Sequence, residues 1–124
     1  METKTEAIFK LTAPYANPYQ GNDKRLLFVC SAGILRSATA ANLFAKKGYN
    51  TRCCGSESYA LIPFSENLKA WAHKIFFVNE YNYKSVIWKG FDLDEDDIQV
   101  LNIPDDYEYN DPTLIKLLEE QVIV

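Results

Sequence analysis

The stretch "LLFVCSAGILRS" (Leu26–Ser37) joins an apolar run to a turn of small residues, and an arginine follows the turn. The apolar run covers Arg25–Cys30, and a short continuous run of this kind is typical of a central strand buried on both faces. Strong helix formers follow over Ser37–Lys47, with Gly48 as a stop signal. A buried strand, a tight turn and a helix in this order predict the first unit of an α/β fold.

The rest of the chain repeats this alternation of strands and helices. Short apolar runs predict three further strands, at Asn50–Cys54, Lys74–Val78 and Ile98–Ile103. The predicted helices are one through Ala72 with Ser65 as its N-cap, one over Asn79–Ile87, and one over Thr113–Gln121 opened by Asp111 and Pro112. Strands that alternate with helices pair in parallel, and the helices cover both faces of the sheet. We therefore expect a three-layer α/β sandwich with a four-stranded parallel sheet in the order 2-1-3-4.

Length and composition fit a single domain without a membrane span. The chain has 124 residues, of which 48% are hydrophobic and 24% are charged, as in ordinary globular domains. Residues 1–24 contain turn formers and little periodicity, so we expect an irregular lead-in before a domain over residues 25–124. No apolar run is long enough to cross a bilayer and no signal segment is visible, so a cytoplasmic location is the default.

Charge and cysteine content exclude several classes of protein. A net charge of −4 argues against binding nucleic acid through a basic face. The three cysteines, Cys30, Cys53 and Cys54, are an odd number and do not form a disulfide framework. There is no C-x-x-C pair, and His73 is the only histidine, so we expect neither a metal site nor a cofactor. The sequence does not predict an oligomeric state.

The turn after the first strand has the composition of an anion site. The backbone amides of residues 31–36 can curl into a nest, and the following helix adds the positive end of its dipole. Gly33 permits the positive φ that such a curl requires, and Arg36 supplies a planar fork that matches two phosphate oxygens. The predicted phosphate-binding residues around Arg36 are Ser31, Ala32, Gly33, Ile34, Leu35 and Ser37.

Cys30 ends the predicted strand at the edge of the sheet where ligands bind in parallel folds. The amides, the dipole and the guanidinium that attract a phosphate also favour a thiolate over a thiol. Ser37 is placed either to donate its hydroxyl to that sulfur or to cap the helix. A thiolate in an oxyanion cradle can accept a phosphoryl group. The alternative is that both residues are purely structural, with Cys30 as a buried thiol and Arg36 as a surface arginine.

A phosphocysteine mechanism also needs a carboxylic acid that protonates the leaving group. The segment "IPDDYEYNDP" after the fourth strand offers Asp105, Asp106 and Asp111. Asp111 is also a candidate N-cap of the last helix. Two aromatic residues, Tyr59 and Tyr107, are candidates to wall the cleft and stack on a substrate ring, with ordinary packing as the alternative.

The pattern Cys30-x5-Arg36-Ser37 at a strand–helix turn resembles the low-molecular-weight protein tyrosine phosphatases. The likeness covers about residues 25–122, where "RCCGSESY" resembles that family's S-A-G-T-x-x-W segment, "WAHKIFFVNE" its W-A-D-x-I-x-x-M stretch and "NIPDDY" its I-P-D-P-Y loop. The tail "IPDDYEYNDPTLIKLLE" is similar to a small bacterial and phage subgroup of predicted tyrosine phosphatases. The resemblance implies hydrolysis of phosphotyrosine proteins or small phosphomonoesters, with Cys30 as nucleophile and Asp105 as general acid.

The chain also departs from that family. Ala32 and Gly33 replace the usual Gly-Asn, so the asparagine that braces the family's loop is missing. Leu35 replaces the second loop cysteine, which removes a disulfide guard against oxidation of the nucleophile. Asp106 stands where proline is usual, so the choice of the general acid between Asp105 and its neighbours stays open.

Three other functions compete with a phosphatase. A phosphocysteine carrier resembling the B domains of sugar phosphotransferase systems shares the architecture, although Arg36 argues against a transferable phosphocysteine. An arsenate reductase needs a downstream cysteine relay, and no cysteine follows Cys54. A catalytically weak binder of phosphorylated ligands is the third. We therefore predict a phosphomonoesterase of the tyrosine phosphatase type.

Overall fold

The computed structural model describes residues 24–124, which contain a four-stranded, all-parallel sheet. The strands are β1 (Arg25–Cys30), β2 (Asn50–Gly55), β3 (Lys74–Phe77) and β4 (Ile98–Val100). They lie in the order β2-β1-β3-β4, so the predicted fold class and strand order are confirmed. The lead-in predicted for residues 1–24 lies outside the described residues except for Lys24.

The helices of this part of the chain connect and follow the strands. They are α1 (Arg36–Lys46), α2 (Glu66–Trp71), α3 (Glu80–Trp88) and α4 (Pro112–Gln121). A short 3-10 turn at Glu95–Asp97 leads into β4. No helix between residues 24 and 124 is long and apolar enough to cross a membrane.

Helices cover both faces of the sheet, and two apolar clusters join the layers. The first cluster joins the sheet to α1 and α4 and includes Leu26, Phe28, Phe76, Phe44 and Leu118. The second joins the opposite face to α2 and α3 and includes Leu27, Val29, Phe77, Trp71 and Val86. Because successive side chains of a strand point to opposite faces, both faces of β1 are buried. Cys30 therefore ends a central strand that is packed from both sides.

Strand β4 is shorter than the predicted Ile98–Ile103. After its last residue, the N–H groups of Leu101 and Ile103 still donate to backbone carbonyls, those of Phe77 at the end of β3 and of Val78 just after it, at 2.7 and 3.0 Å. The N–H of Asn102 between them points away from β3 and donates to the side chain of Gln121 at 2.7 Å, and Pro104 then fixes one backbone torsion. The chain leaves the sheet there, at the carboxyl edge, and Asp105 follows directly.

Candidate active site

Cys30 is the last residue of β1, and its sulfur is the centre of the candidate site. The residue is buried, with 2% of its surface exposed. The backbone N–H of Gly33 donates to Sγ at 3.1 Å, and the hydroxyl oxygen of Ser37 lies 3.0 Å from Sγ. The same hydroxyl lies 3.5 Å from the carbonyl oxygen of Cys54. The sulfur thus has one backbone donor, the N–H of Gly33, and one hydroxyl within hydrogen-bond distance.

The loop between β1 and α1 turns at Gly33, whose φ is +78°. A Cβ at this position would lie 2.7 Å from the backbone carbonyl carbon of Cys54 and 2.8 Å from the nitrogen of Gly55. Both the backbone conformation and the close approach to β2 therefore require glycine. The positive φ predicted for Gly33 is confirmed, and the same turn places its N–H on the sulfur of Cys30.

Helix α1 begins immediately after the loop, at Arg36. Leu35 occupies the N-cap, and no side chain within residues 24–124 caps this helix. The amides of the first turn and the positive end of the helix dipole are thus left for an anion. Ser37 lies inside the first turn beside the Cys30 sulfur, so its alternative role as a helix cap is wrong.

Arg36 is buried, and the segment after β4 orients its guanidinium. Nη1 donates to the carbonyl oxygen of Ile103 at 2.9 Å, and Nε lies 3.6 Å from Oδ1 of Asp105. The side chain of Arg36 is 5% exposed, whereas that of Asp105 is 72% exposed. The alternative interpretation of Arg36 as a surface arginine is therefore wrong. The pair joins a buried cation to a carboxylate that solvent can reach.

The three predicted catalytic residues, Cys30, Arg36 and Asp105, line one cavity of about 140 Å³. The other residues that line it are Ser31, Ala32, Ile34, Leu35 and Tyr59. The side chain of Tyr59 is largely exposed, so its ring is accessible to a ligand in the cavity. The cavity thus combines a nucleophilic sulfur, a guanidinium and a carboxyl group, the groups that phosphoryl transfer to a cysteine requires.

The remaining acidic and aromatic candidates are placed differently. Asp111 accepts a hydrogen bond from the N–H of Thr113 at 2.8 Å and caps α4, so its capping interpretation is confirmed. Asp106 is exposed and is not among the residues that line the cavity of Cys30. Tyr107 is half-buried and packs against the apolar cluster that contains Phe28. The structure therefore favours packing for Tyr107 over a place at the cleft wall.

Cys53 and Cys54 lie on β2 and differ from Cys30 in environment. Both are fully buried, Cys53 on the face of the sheet shared with Cys30 and Cys54 on the opposite face. Burial raises the pKa of the Cys53 thiol, and the nearby Cys30 adds to this shift. Burial also raises the pKa of Cys54, with Cys53 as a second cause. All three cysteines are free, and the described part of the chain brings no three potential metal ligands together.

A buried amide that the sequence did not predict contacts the loop from α3. Nδ2 of Asn82 donates to the hydroxyl oxygens of Ser31 at 3.1 Å and Ser56 at 3.0 Å. Asn82 and Val86 are the buried residues of α3, and they lie one helical turn apart. An amide on the inward face of a helix is the signal that could have identified Asn82 from the sequence.

Glu57 was also missed, and it connects the segment after β2 to both the loop and α3. Its N–H donates to the carbonyl oxygen of Ser31 at 3.2 Å. Its carboxylate accepts hydrogen bonds from Ser85 at 2.6 Å and from the Tyr81 hydroxyl, and it forms an ion pair with Lys89 at 3.6 Å. The hydrogen bond from Ser85, followed by that from Tyr81, lowers the pKa of Glu57. No local pattern in the sequence predicts these contacts.

Comparison with known proteins identifies no relative of this chain. No protein-family model matches it, and neither a curated protein nor a solved structure gives a significant match. Function is therefore inferred from the geometry of the site and from the motifs of the sequence.

Proposed function

We propose that this protein is a phosphatase that hydrolyses phosphomonoesters through a cysteinyl-phosphate intermediate, with phosphotyrosine as its substrate class. One observation carries the proposal: Cys30, Arg36 and Asp105 line the same cavity, and a loop N–H donates to the Cys30 sulfur. The resemblance of the loop sequence to the low-molecular-weight protein tyrosine phosphatases supports the same assignment.

In the first step, the thiolate of Cys30 attacks phosphorus in line with the leaving oxygen. The S–P bond forms while the P–O bond to the leaving group breaks. The loop amides and the guanidinium of Arg36 hold the equatorial phosphate oxygens, over which negative charge is spread in the transition state. The burial of Arg36 supports this role, because a charge in a low-dielectric site interacts more strongly than one in water.

Asp105 acts as the acid and then as the base. Its carboxylic acid donates a proton to the leaving oxygen in the first step. The resulting carboxylate then takes a proton from the water that attacks the phosphocysteine, which releases phosphate and restores the Cys30 thiolate. Asp105 is exposed and borders the cavity, so its carboxyl group can reach both the leaving group and solvent. Asp111 is a poorer candidate because its side chain caps α4.

The preference for an aryl phosphate follows from the residue at the cavity mouth. Tyr59 borders the cavity with its ring exposed, and aromatic rings stack favourably on one another. The mechanism uses amides and a guanidinium for charge stabilisation and calls for no metal or cofactor. We also propose a cytoplasmic location, since a reducing compartment keeps the sulfur of Cys30 reduced and free of disulfide bonds.

Steady-state hydrolysis by the purified chain tests the proposal. We expect hydrolysis of phosphotyrosine peptides at a higher kcat/KM than of phosphoserine peptides or nucleoside monophosphates, and inhibition by orthovanadate. Cys30→Ser should be inactive. Cys54→Ala should retain activity, because Cys54 is buried on the opposite face of the sheet.

Each other outcome points to a competing function. A folded protein that hydrolyses none of these substrates would overturn the proposal. A persistent phosphocysteine without turnover would support the carrier function. Phosphotyrosine binding with neither turnover nor a phosphocysteine would support a binder of phosphorylated ligands.

A further inference from the structure

A single amide side chain from α3 contacts the first residue of the loop. Nδ2 of Asn82 donates to the hydroxyl oxygen of Ser31 at 3.1 Å and to that of Ser56 at 3.0 Å. Asn82 has no exposed surface, and its bond to Ser56 is buried, while its bond to Ser31 is partly buried. Because Ser31 follows Cys30 directly, the amide fixes the start of the loop relative to the segment after β2.

Packing alone does not account for an amide at this position. Asn82 shares the inward face of α3 with Val86, where an apolar side chain would pack without polar atoms. Burying an amide costs free energy unless its polar atoms are bonded. Oδ1 of Asn82 is buried and has no hydrogen-bond partner among the residues that the structure describes. The hydrogen bonds that Nδ2 donates to Ser31 and Ser56 are therefore what offsets the cost of burying this amide.

The turn of the loop has no side chain of its own at Gly33, and from outside the loop the Cys53 thiol donates to the Gly33 carbonyl oxygen at 3.6 Å. Gly33 leaves no room for a Cβ, so the turn itself cannot supply a brace. Backbone bonds from Glu57 to Ser31 and from Leu61 to Ala32 measure 3.2 and 3.3 Å, at the long end of the usual range. The bond from the Asn82 amide to the Ser31 hydroxyl is a further restraint, which acts on a side chain of the loop rather than on its backbone.

We propose that Asn82 is a positioning residue that holds the loop amides, through Ser31, in the geometry that binds the phosphoryl group. Asn82 does not contact the substrate in this account. The inference rests on the proposed function and adds to it that oxyanion affinity depends on a side chain of α3.

Oxyanion binding by Asn82→Ala tests this role. Orthovanadate affinity is measured by calorimetry, and kcat and KM are measured on p-nitrophenyl phosphate. We expect vanadate to bind about tenfold more weakly, the effect of losing about one hydrogen bond, and kcat to fall as well. Should Asn82→Ala fail to fold, Asn82→Leu serves the same test, because it keeps a side chain of similar size, adds no charge and lacks the amide donor.

Asn50→Ala is the matched control. Asn50 opens β2 at the opposite end of the sheet, where it pairs with Arg25, and its Oδ1 is likewise buried without a partner. This variant removes the same chemical group from a site remote from the loop. We expect it to keep the vanadate affinity and the kcat of the wild type.

A double-mutant cycle separates positioning from general stability. If Asn82 acts through Ser31, then Ser31→Ala and Asn82→Ala will have non-additive effects on vanadate affinity. Amide hydrogen exchange of residues 31–36 should be faster in Asn82→Ala than in the wild type, whether or not the protein turns substrate over.

The outcomes distinguish failure of this inference from failure of the proposed function. Wild-type vanadate affinity in Asn82→Ala, unchanged loop exchange, or additive effects in the cycle would overturn the positioning role and leave a phosphatase in place. A wild-type protein that neither binds vanadate nor hydrolyses an aryl phosphate would overturn both.

Discussion

Nη1 of Arg36 donates to the carbonyl oxygen of Ile103 at 2.9 Å, and this bond links two segments 67 residues apart in the chain. Pro104 follows Ile103, and its ring fixes one backbone torsion before Asp105. The bond therefore sets the position of the buried guanidinium relative to the exposed carboxylate, whose oxygen lies 3.6 Å from Nε. A change in one group should alter the position of the other.

Arg36→Lys keeps the positive charge and removes the planar fork. A lysine offers a compact point charge, so it cannot donate to the Ile103 carbonyl and bind two phosphate oxygens in the manner of a guanidinium. We expect kcat/KM on an aryl phosphate to fall by about 10²–10³-fold, as after loss of an oxyanion donor. Arg25→Lys, at the opposite end of β1, is the control. Wild-type kcat/KM in Arg36→Lys would contradict the assignment.

Asp105→Asn tests the general acid. A poor leaving group needs the proton, so we expect kcat on phenyl phosphate to fall by about 10²–10⁴-fold. The loss should be smaller on dinitrophenyl phosphate, which departs without protonation. Asp106→Asn makes the same change of charge one residue further along the chain. A larger loss in Asp106→Asn, or equal losses on the two substrates, would remove Asp105 from this role.

Gly33→Ala tests the close approach of the loop to β2. Gly48 provides a matched control, because its φ is also positive, at +103°, and a Cβ there has no neighbour within 4 Å. Both variants carry the backbone strain, but only Gly33→Ala adds a clash with the backbone of Cys54. We expect urea unfolding to show about 1–3 kcal/mol more destabilisation for Gly33→Ala, as in overpacked sites. Equal losses of unfolding free energy in the two variants would contradict the close approach of Gly33 to β2.

The buried thiols of Cys53 and Cys54 predict a loss of stability at high pH. Burial raises the pKa of both thiols in the folded state, while those of the unfolded chain ionise near their ordinary value of about 8.5. Above that pH the unfolded state binds fewer protons than the folded state, so the free energy of unfolding falls. The slope is up to about 1.4 kcal/mol per pH unit for each thiol.

Urea unfolding between pH 7 and pH 10 measures this slope. The variant carrying Cys53→Ala and Cys54→Ala should lose stability at all pH values through its smaller side chains. Its free energy of unfolding should nevertheless depend less steeply on pH than that of the wild type. If the free energy of unfolding fell with pH at the same rate in both proteins, burial would not be keeping these two thiols protonated in the folded state.

The fold and the centre of the site could be predicted because their signals are local. The apolar run of β1, the turn at Gly33 and the start of α1 follow one another within Arg25–Lys46. The position of Cys30 relative to Arg36 therefore depends on one strand–helix unit rather than on distant contacts. Strand–helix alternation likewise predicts parallel pairing along the whole chain.

Other features could not be predicted because they depend on contacts between distant segments. Asn82 meets Ser31 across 51 residues, and a helix with one inward amide gives only a weak signal. The apolar run Ile98–Ile103 continues past Val100, the last residue of β4, so the run itself does not mark where the strand ends. The packing of Tyr107 depends on the helices that complete the core cluster around Phe28.

Rapid mixing of the wild-type protein with p-nitrophenyl phosphate, followed by mass spectrometry of the peptide that contains Cys30, tests the central claim most directly. The account predicts a burst of nitrophenol together with phosphate bound to Cys30 before the steady state, and neither signal in Cys30→Ser. Turnover of the aryl phosphate without phosphate on Cys30, or hydrolysis by Cys30→Ser, would contradict it.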